Sequence, residues 1–169
     1  MFYNFKQINT VYPLFDALEK CRGVAQMEIH HPEGDVFIHS VQVLQWAMKE
    51  SDDIDLVVAA MLHDVGKCID SKGHEKYGLK MLDGHISEKT AWLIENHMRV
   101  WYLILGEMRR HKKVKELIEH EWLPDLILLA RWDKLGRDPN KETRYNRIEL
   151  IERFIFKFGD GDESLRNTI

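Results

Sequence analysis

The chain has 169 residues, of which 44% are hydrophobic and 31% charged, a balance typical of one globular domain with a sizeable core. No apolar run reaches the roughly 18 to 20 residues that a membrane-spanning helix needs, and MFYNFKQINT at the start lacks the order of a secretory signal, so we expect a cytoplasmic protein. The formal net charge of -4 argues against attraction of the whole surface to nucleic acid or membrane. Cys21 and Cys68 are too few for a disulfide framework.

The apolar residues recur mostly with the 3.6-residue period of helices, and few stretches alternate as strands do. The predicted fold class is therefore all-α, a bundle of about seven or eight helices in a single domain over residues 1–169. In chain order, we place helices at about residues 11–21, 36–49, 53–65, 74–83, 87–104, 106–120, 124–136 and 145–158. The polar tail from about residue 160 is expected to be frayed.

The third predicted helix joins the most apolar run of the chain to polar residues at its end. Residues 51–53 supply N-cap candidates, and residues 56–62 are all apolar, which indicates a central helix buried on every side. His63 and Asp64 follow at once, and Gly66 is expected to end the helix. Two polar side chains at the end of the most buried element require an explanation.

Histidine nitrogen and aspartate oxygen are typical ligands of a divalent transition metal. His39, His63, Asp64 and Asp133 stand in the apolar contexts FIHSV, MLHDV and LLARWD, on three different predicted helices. Any one of these histidines alone would more often be a hydrogen-bonded core residue. Because buried carboxylates are costly unless paired with a cation, one metal ion would satisfy all four residues.

The segment MLHDVGK, residues 61–67, resembles the central motif of the HD-domain superfamily of metal-dependent phosphohydrolases. HPEGDVFIHSVQVL, residues 31–44, and GHEKYGLKML, residues 73–82, are similar to the HD domain of bacterial CCA-adding tRNA nucleotidyltransferases. The resemblance implies a single HD domain whose core covers about residues 34–136. The nucleotidyltransferase catalytic domain has no counterpart here, so only a hydrolytic module is expected.

The resemblance also implies the ligands of one or two metal ions. A first ion would be held by His39, His63, Asp64 and Asp133. In members with two ions, two further histidines follow the central motif; His74 and His97 match those positions best, with Asp64 bridging the ions. His85 is the competing candidate for the second site.

Further residues are assigned to catalysis and to substrate binding by the same resemblance. Asp64 and Lys67 are the predicted catalytic residues. Lys67, Arg137 and Arg131 are the predicted substrate contacts, with Arg137 favoured because similar members carry an arginine shortly after the last aspartate. Lys67 has the equally weighted alternative of capping a helix C-terminus. We assign no role to the histidines at 30–31. The tryptophans are expected to pack in the core or at its rim rather than to stack on a base, and Trp132 is the one to test for stacking.

The resemblance implies a phosphohydrolase that cleaves phosphomonoesters or phosphodiesters of nucleotides through a metal-activated hydroxide. The expected cofactor is Mn, Fe, Ni, Co or Zn, with Mg as a further candidate, and one ion is expected with two as the alternative. Val65, Gly66 and Lys67 stand where 5'-deoxynucleotidase-like and guanosine-tetraphosphate-hydrolase-like members place an acidic residue, which disfavours those activities.

Two other functions and several partners stay open on sequence grounds. The same ligands could hold a di-iron pair that reacts with oxygen, or the domain could sense a nucleotide without turnover. The basic run RRHKKVK, residues 109–115, is usually a solvated helix face, and its alternative role is to steer an RNA end. The expected partner is a small phosphate ester, with no membrane partner. A homodimer is one option that no stretch of sequence supports.

Overall fold

The computed structural model describes residues 2–3 and 8–159. The tail that we predicted to be frayed, from about residue 160, lies outside these residues. The α-helices are α1 Ile8–Glu19, α2 Val36–Glu50, α3 Ile54–Leu62, α4 His74–Met81, α5 Glu88–Ile104, α6 His111–Ile118, α7 Leu123–Leu135 and α8 Arg147–Phe158, with a 3-10 helix at Val65–Cys68. Extended pairing in the described part amounts to one isolated bridge, Ala25 with Asp35. The predicted all-α fold is confirmed.

Side chains at the helix starts fix several of these boundaries. Asp35 caps α2 and Asp53 caps α3, each accepting hydrogen bonds from two backbone N–H groups, and Ser87 caps α5. The predicted sixth helix was too long, because Gly106 ends the preceding helix with a left-handed φ of 70° and α6 starts only at residue 111. Within residues 2–3 and 8–159, no helix has both the length and the apolar character required to cross a membrane.

Helix α3 is the centre of the bundle, as its apolar run predicted. Residues 56–62 are each at most 1% exposed, and α3 contacts α1, α2, α5 and α7. The α-helix ends at Leu62, and the chain then tightens into the 3-10 helix. His63 and Asp64 therefore lie at a buried turn that four helices surround.

Gly66 brings the 3-10 helix into close contact with the start of α4. A Cβ atom at Gly66 would lie 1.9 Å from the backbone oxygen of His74 and 2.5 Å from the backbone nitrogen of Gly78. Both are backbone atoms, which no side-chain rotation can move away. A glycine at 66 is therefore required for the packing that holds His74 beside Asp64.

We expect Gly66→Ala to lower the free energy of unfolding of the metal-free protein by about 1 to 3 kcal/mol, the usual cost of overpacking. The melting temperature should fall by roughly 2–4 °C per kcal/mol. Gly78→Ala is the matched control across the same contact, because its Cβ would meet Gly66 at 3.5 Å, an ordinary distance. It should leave stability unchanged or raise it by up to about 1 kcal/mol. Equal melting temperatures for the two variants would contradict this account.

Candidate metal centre

The six side chains predicted as metal ligands converge at the inner end of α3, and we call them the histidine–aspartate cluster. They are His39 on α2, His63 and Asp64 after α3, His74 on α4, His97 on α5 and Asp133 on α7. Their exposed fractions lie between 0% and 5%. The structure thus brings together residues from five separate segments of the chain, and their role as ligands stays a prediction.

One half of the cluster is built around His39 and His63. Their Nε2 atoms are 3.3 Å apart, and Asp64 Oδ2 lies 3.7 Å from the first and 3.5 Å from the second. Asp133 Oδ1 is 3.2 Å from the Nε2 atom of His39. Two imidazole nitrogens and two carboxylates therefore face one small volume.

The other half of the cluster is built around His74 and His97. Their Nε2 atoms are 3.0 Å apart, and Asp64 Oδ1 lies 3.1 Å from the first and 3.6 Å from the second. Asp64 therefore stands between the halves and turns one carboxylate oxygen toward each. This is the arrangement that a carboxylate bridging two cations requires.

Backbone carbonyls determine the tautomer of all four histidines. The Nδ1 atoms of His63, His74 and His97 lie 2.6 to 3.0 Å from the carbonyl oxygens of residues 60, 71 and 94, and that of His39 lies 3.1 Å from the carbonyl of Gly136. Because a carbonyl can only accept, each Nδ1 carries a proton. In the neutral form that binds a metal, each ring then presents its Nε2 lone pair toward the centre of the cluster.

These facing lone pairs fit a divalent cation. Two nitrogens bound to one ion at about 2.0–2.1 Å lie about 2.9 to 3.4 Å from each other for bond angles between octahedral and tetrahedral. The distances of 3.3 and 3.0 Å within the two histidine pairs both fall in this range. The mixed imidazole and carboxylate donor set suits Zn, Mn, Fe, Ni or Co, and the residues present therefore fit the predicted metal.

The electrostatics of the cluster keep its acids charged and one of its histidines neutral. Burial alone would raise the pKa of Asp64, but His63, Lys67 and the neighbouring histidines hold that pKa well below its usual range. Asp133 behaves in the same way beside His39. Burial lowers the pKa of His63 to about 3. Asp133 and Glu33 outweigh burial at His39 and raise its pKa to about 9, so this ring would release a proton on binding a metal. Ionised carboxylates and a neutral imidazole are the forms in which these groups bind metals.

A cavity of about 780 Å³ opens onto the cluster, and we call it the central pocket; Asp64, His74, His97 and Asp133 are among its lining residues. Lys67 lines it too, and its Nζ atom donates to Asp64 Oδ2 at 2.6 Å and to Gln26 Oε1 at 2.7 Å. Arg137 lines it and pairs with Asp133 Oδ1 at 2.8 Å. Both predicted phosphate contacts therefore lie beside the carboxylates of the cluster.

The structure places Arg131 elsewhere. It pairs with Glu50, is half exposed and is not among the residues that line the central pocket. Arg131 lies two positions before Asp133 on α7, about 200° around the helix, whereas Arg137 follows the end of α7 and its guanidinium returns to the Asp133 carboxylate. Trp132 is fully buried, with its indole N–H donating to Glu50, so it packs in the core, as expected for the tryptophans, and offers no face for base stacking.

The remaining sequence candidates lie outside the cluster. His85 is exposed and belongs to none of the metal-capable groups found among residues 2–3 and 8–159. On α6, Lys112 and Lys115 are exposed and form long ion pairs with acidic residues one turn later. Neither lysine lines the central pocket.

Three residues beside the cluster were missed by the sequence analysis. Trp101 lines the central pocket, and its indole N–H donates to Asp133 Oδ2 at 2.9 Å. His31, to which we had assigned no role, lines the same pocket, and Glu33 lies 2.9 Å from His39 Nδ1. The position of Trp101 one helical turn after His97 was a usable signal. The loop that carries His31 and Glu33 reaches the cluster by a long-range contact, which no local pattern in the sequence predicts.

The comparisons with known proteins agree with this geometry. The family model described as "HD domain" matches residues 36–138. A "Multifunctional CCA protein" of Shewanella frigidimarina is 34% identical over 168 residues, covering 86% of this chain and 40% of its own length. Proteins of the same name from Psychromonas ingrahamii and Cupriavidus metallidurans are 34% and 30% identical, covering 76% and 96% of this chain.

The chain spans 32% to 40% of the length of these three relatives. The resemblance that the motifs indicated is confirmed, both to the HD family and to the HD domain of CCA proteins. HD domains bind divalent metals, and the histidine–aspartate cluster supplies groups that could do so here. The chain therefore belongs to the HD domain family, whose members are generally metal-dependent phosphohydrolases.

Proposed function

We propose that this protein is a metal-dependent phosphohydrolase that cleaves phosphomonoesters or phosphodiesters of nucleotides. One observation carries the proposal: Asp64 stands between two pairs of histidines whose Nε2 atoms face each other within each pair, beside a pocket that also contains Lys67 and Arg137. Metal-capable groups and fixed cations in one pocket are the requirements of phosphoryl chemistry. The nucleotide preference rests on the similarity to CCA proteins.

The cluster would hold one or two divalent cations, with His39, His63, Asp64 and Asp133 on one side and His74 and His97 on the other. A bound divalent cation supplies Lewis acidity toward phosphoryl oxygens and lowers the pKa of water. The protein's part is to fix the ligand geometry, through Nδ1 hydrogen bonds that orient every histidine ring. Preformed geometry avoids reorganisation during the reaction.

Lys67 and Arg137 would contact the oxygens of the phosphate. Each is held by a carboxylate of the cluster and still lines the central pocket. Because these carboxylates fix the positions of the lysine and arginine side chains, the positive charges would need no rearrangement when a phosphate binds. The arginine guanidinium also offers donors in a planar fork that suits two phosphate oxygens.

The part of the substrate beyond the phosphate would meet an apolar wall. Met27, Met98, Trp101 and Leu105 line the central pocket together with the charged groups. A flat aromatic ring and flexible thioethers suit a nucleoside better than a strongly hydrated sugar phosphate. The combination of a charged floor and an apolar wall in the central pocket supports a nucleotide-derived substrate.

The test is a substrate panel with metal-stripped protein resupplied with Mn, Fe, Ni, Co, Zn or Mg. The panel contains 2',3'-cyclic nucleotides, nucleoside monophosphates, a short RNA with a cyclic phosphate end, glucose phosphate and bis(para-nitrophenyl) phosphate. We expect turnover only with metal, and faster turnover of nucleotides than of glucose phosphate. Oxygen uptake by iron-loaded protein without phosphate release would favour the oxygenase, and tight nucleotide binding without turnover under every metal would favour a sensor.

A further inference from the structure

Glu33 connects the histidine–aspartate cluster to the loop before α2. Its side chain is fully buried, and its Oε1 atom lies 2.9 Å from Nδ1 of His39 and 2.9 Å from Nδ1 of His31. This oxygen accepts a hydrogen bond from His31, which lines the central pocket, and forms a close ion-pair contact with His39 of the cluster, whose Nδ1 hydrogen bond goes to the carbonyl oxygen of Gly136. The rings also contact edge to face, with centroids 4.8 Å apart.

The contacts of Glu33 extend through His31 and Lys67 to Asp64. With its Nδ1 proton held by Glu33, the His31 ring turns its Nε2 lone pair to Lys67 Nζ at 3.5 Å. Lys67 in turn donates to Asp64 at 2.6 Å. Glu33 therefore reaches His39 directly and Asp64 through two intervening side chains, which together form an outer layer around the first half of the cluster.

The position of Glu33 is set by its surroundings. The loop is closed by the isolated bridge between Ala25 and Asp35, and Gly34 takes a left-handed φ of 77°. The second oxygen of Glu33, Oε2, is buried with no hydrogen-bond partner in the structure. Burying a carboxylate with one oxygen unpartnered costs free energy. The two histidine contacts are the interactions that offset this cost.

We propose that Glu33 is a positioning residue of the metal centre, which fixes the ring of His39 for metal binding and, through His31, the direction of Lys67. The idea rests on the proposed function only in taking the cluster to be a metal site, and metal affinity tests it without any assay of hydrolysis. A carboxylate beside Nδ1 makes the other nitrogen a stronger ligand. The carbonyl oxygen of Gly136 accepts the Nδ1 hydrogen bond of His39 at 3.1 Å, and this neutral acceptor would remain in a Glu33 variant, so the variant tests the charge of Glu33.

The experiment measures cobalt binding to metal-stripped Glu33→Gln, which keeps the size of the side chain and removes its charge. We expect the affinity for the more tightly held ion to fall about ten- to a hundredfold, the usual effect of losing such a contact, and the visible absorption bands of the bound Co²⁺ to shift. The melting temperature of the metal-free protein should stay close to the wild-type value. Glu28→Gln is the matched control, because Glu28 lies on the same loop and is exposed.

A second variant guards against a simple loss of folding. Glu33→Asp keeps the charge but withdraws it by one methylene, so its cobalt affinity should fall between the wild type and Glu33→Gln. Wild-type affinity and absorption bands in Glu33→Gln would overturn the proposal. A large fall in the melting temperature of both metal-free variants would also overturn it, because Glu33 would then serve the fold. Absence of hydrolysis by the wild type would count against the proposed function and leave these binding results unchanged.

Discussion

Replacing Asp64 with Asn is expected to abolish both metal uptake and hydrolysis. The Asp64 carboxylate turns one oxygen to His39 and His63 and the other to His74 and His97, so the change removes the negative charge from both halves at once. A neutral amide is a poor ligand for a transition metal and adds an N–H group among imidazole lone pairs. Loss of several kcal/mol of transition-state stabilisation by the metal corresponds to a rate lower by roughly a thousandfold or more.

The measurement for Asp64→Asn is metal content per chain after dialysis, beside turnover of the best substrate from the panel. Asp83→Asn is the matched control, because Asp83 is exposed and belongs to none of the described metal-capable groups. It should keep full metal content and rate. A metal-loaded, active Asp64→Asn protein would refute the assignment of the whole cluster.

Replacing His97 with Gln is expected to leave one ion per chain, which is a loss of one ion if the wild type binds two. His97 forms the second half of the cluster with His74, and it makes no polar contact with Asp133 or His39 in the structure. The first half therefore keeps its imidazole pair and both carboxylates. Because a second ion helps to stabilise the attacking and leaving oxygens, we expect turnover to fall about a hundredfold while one ion stays bound.

His85→Gln is the control that separates the two candidates for the second site. His85 is exposed, so its variant should bind the same number of ions as the wild type. Metal content measured by mass spectrometry and by cobalt titration distinguishes the variants. Two ions in His97→Gln, or one in His85→Gln together with two in the wild type, would contradict the placement of the second ion.

Most of the bundle could be predicted because local patterns determine it. The apolar run of residues 56–62 predicted a central helix, and capping aspartates at 35 and 53 start α2 and α3. Adjacent His63 and Asp64 at the end of that run marked the site, because only a specific partner makes such burial tolerable. Helix ends were less predictable, as the 3-10 helix after Leu62 shows.

The parts of the site that were missed depend on long-range packing or on helical phase. Arg131 and Arg137 both lie close to Asp133 in the sequence, but Arg131 lies on the far side of α7, whereas Arg137 follows the end of that helix and turns back to Asp133. Trp132 adjoins Asp133 but points into the core, whereas the more distant Trp101 donates to its carboxylate. Glu33 reaches the cluster because a loop docks on it, and no periodicity encodes that contact.

The distribution of the cluster along the chain also bears on the order of events during folding. His39 and Asp133 come from α2 and α7, and the other members come from three segments between them. No short segment carries more members of the cluster than the adjacent pair His63–Asp64, so the cluster is complete only after α5 and α7 dock on α3. A metal ion bound by the cluster would then be captured by an almost complete bundle, and its binding energy would add to the stability of a topology that has already formed.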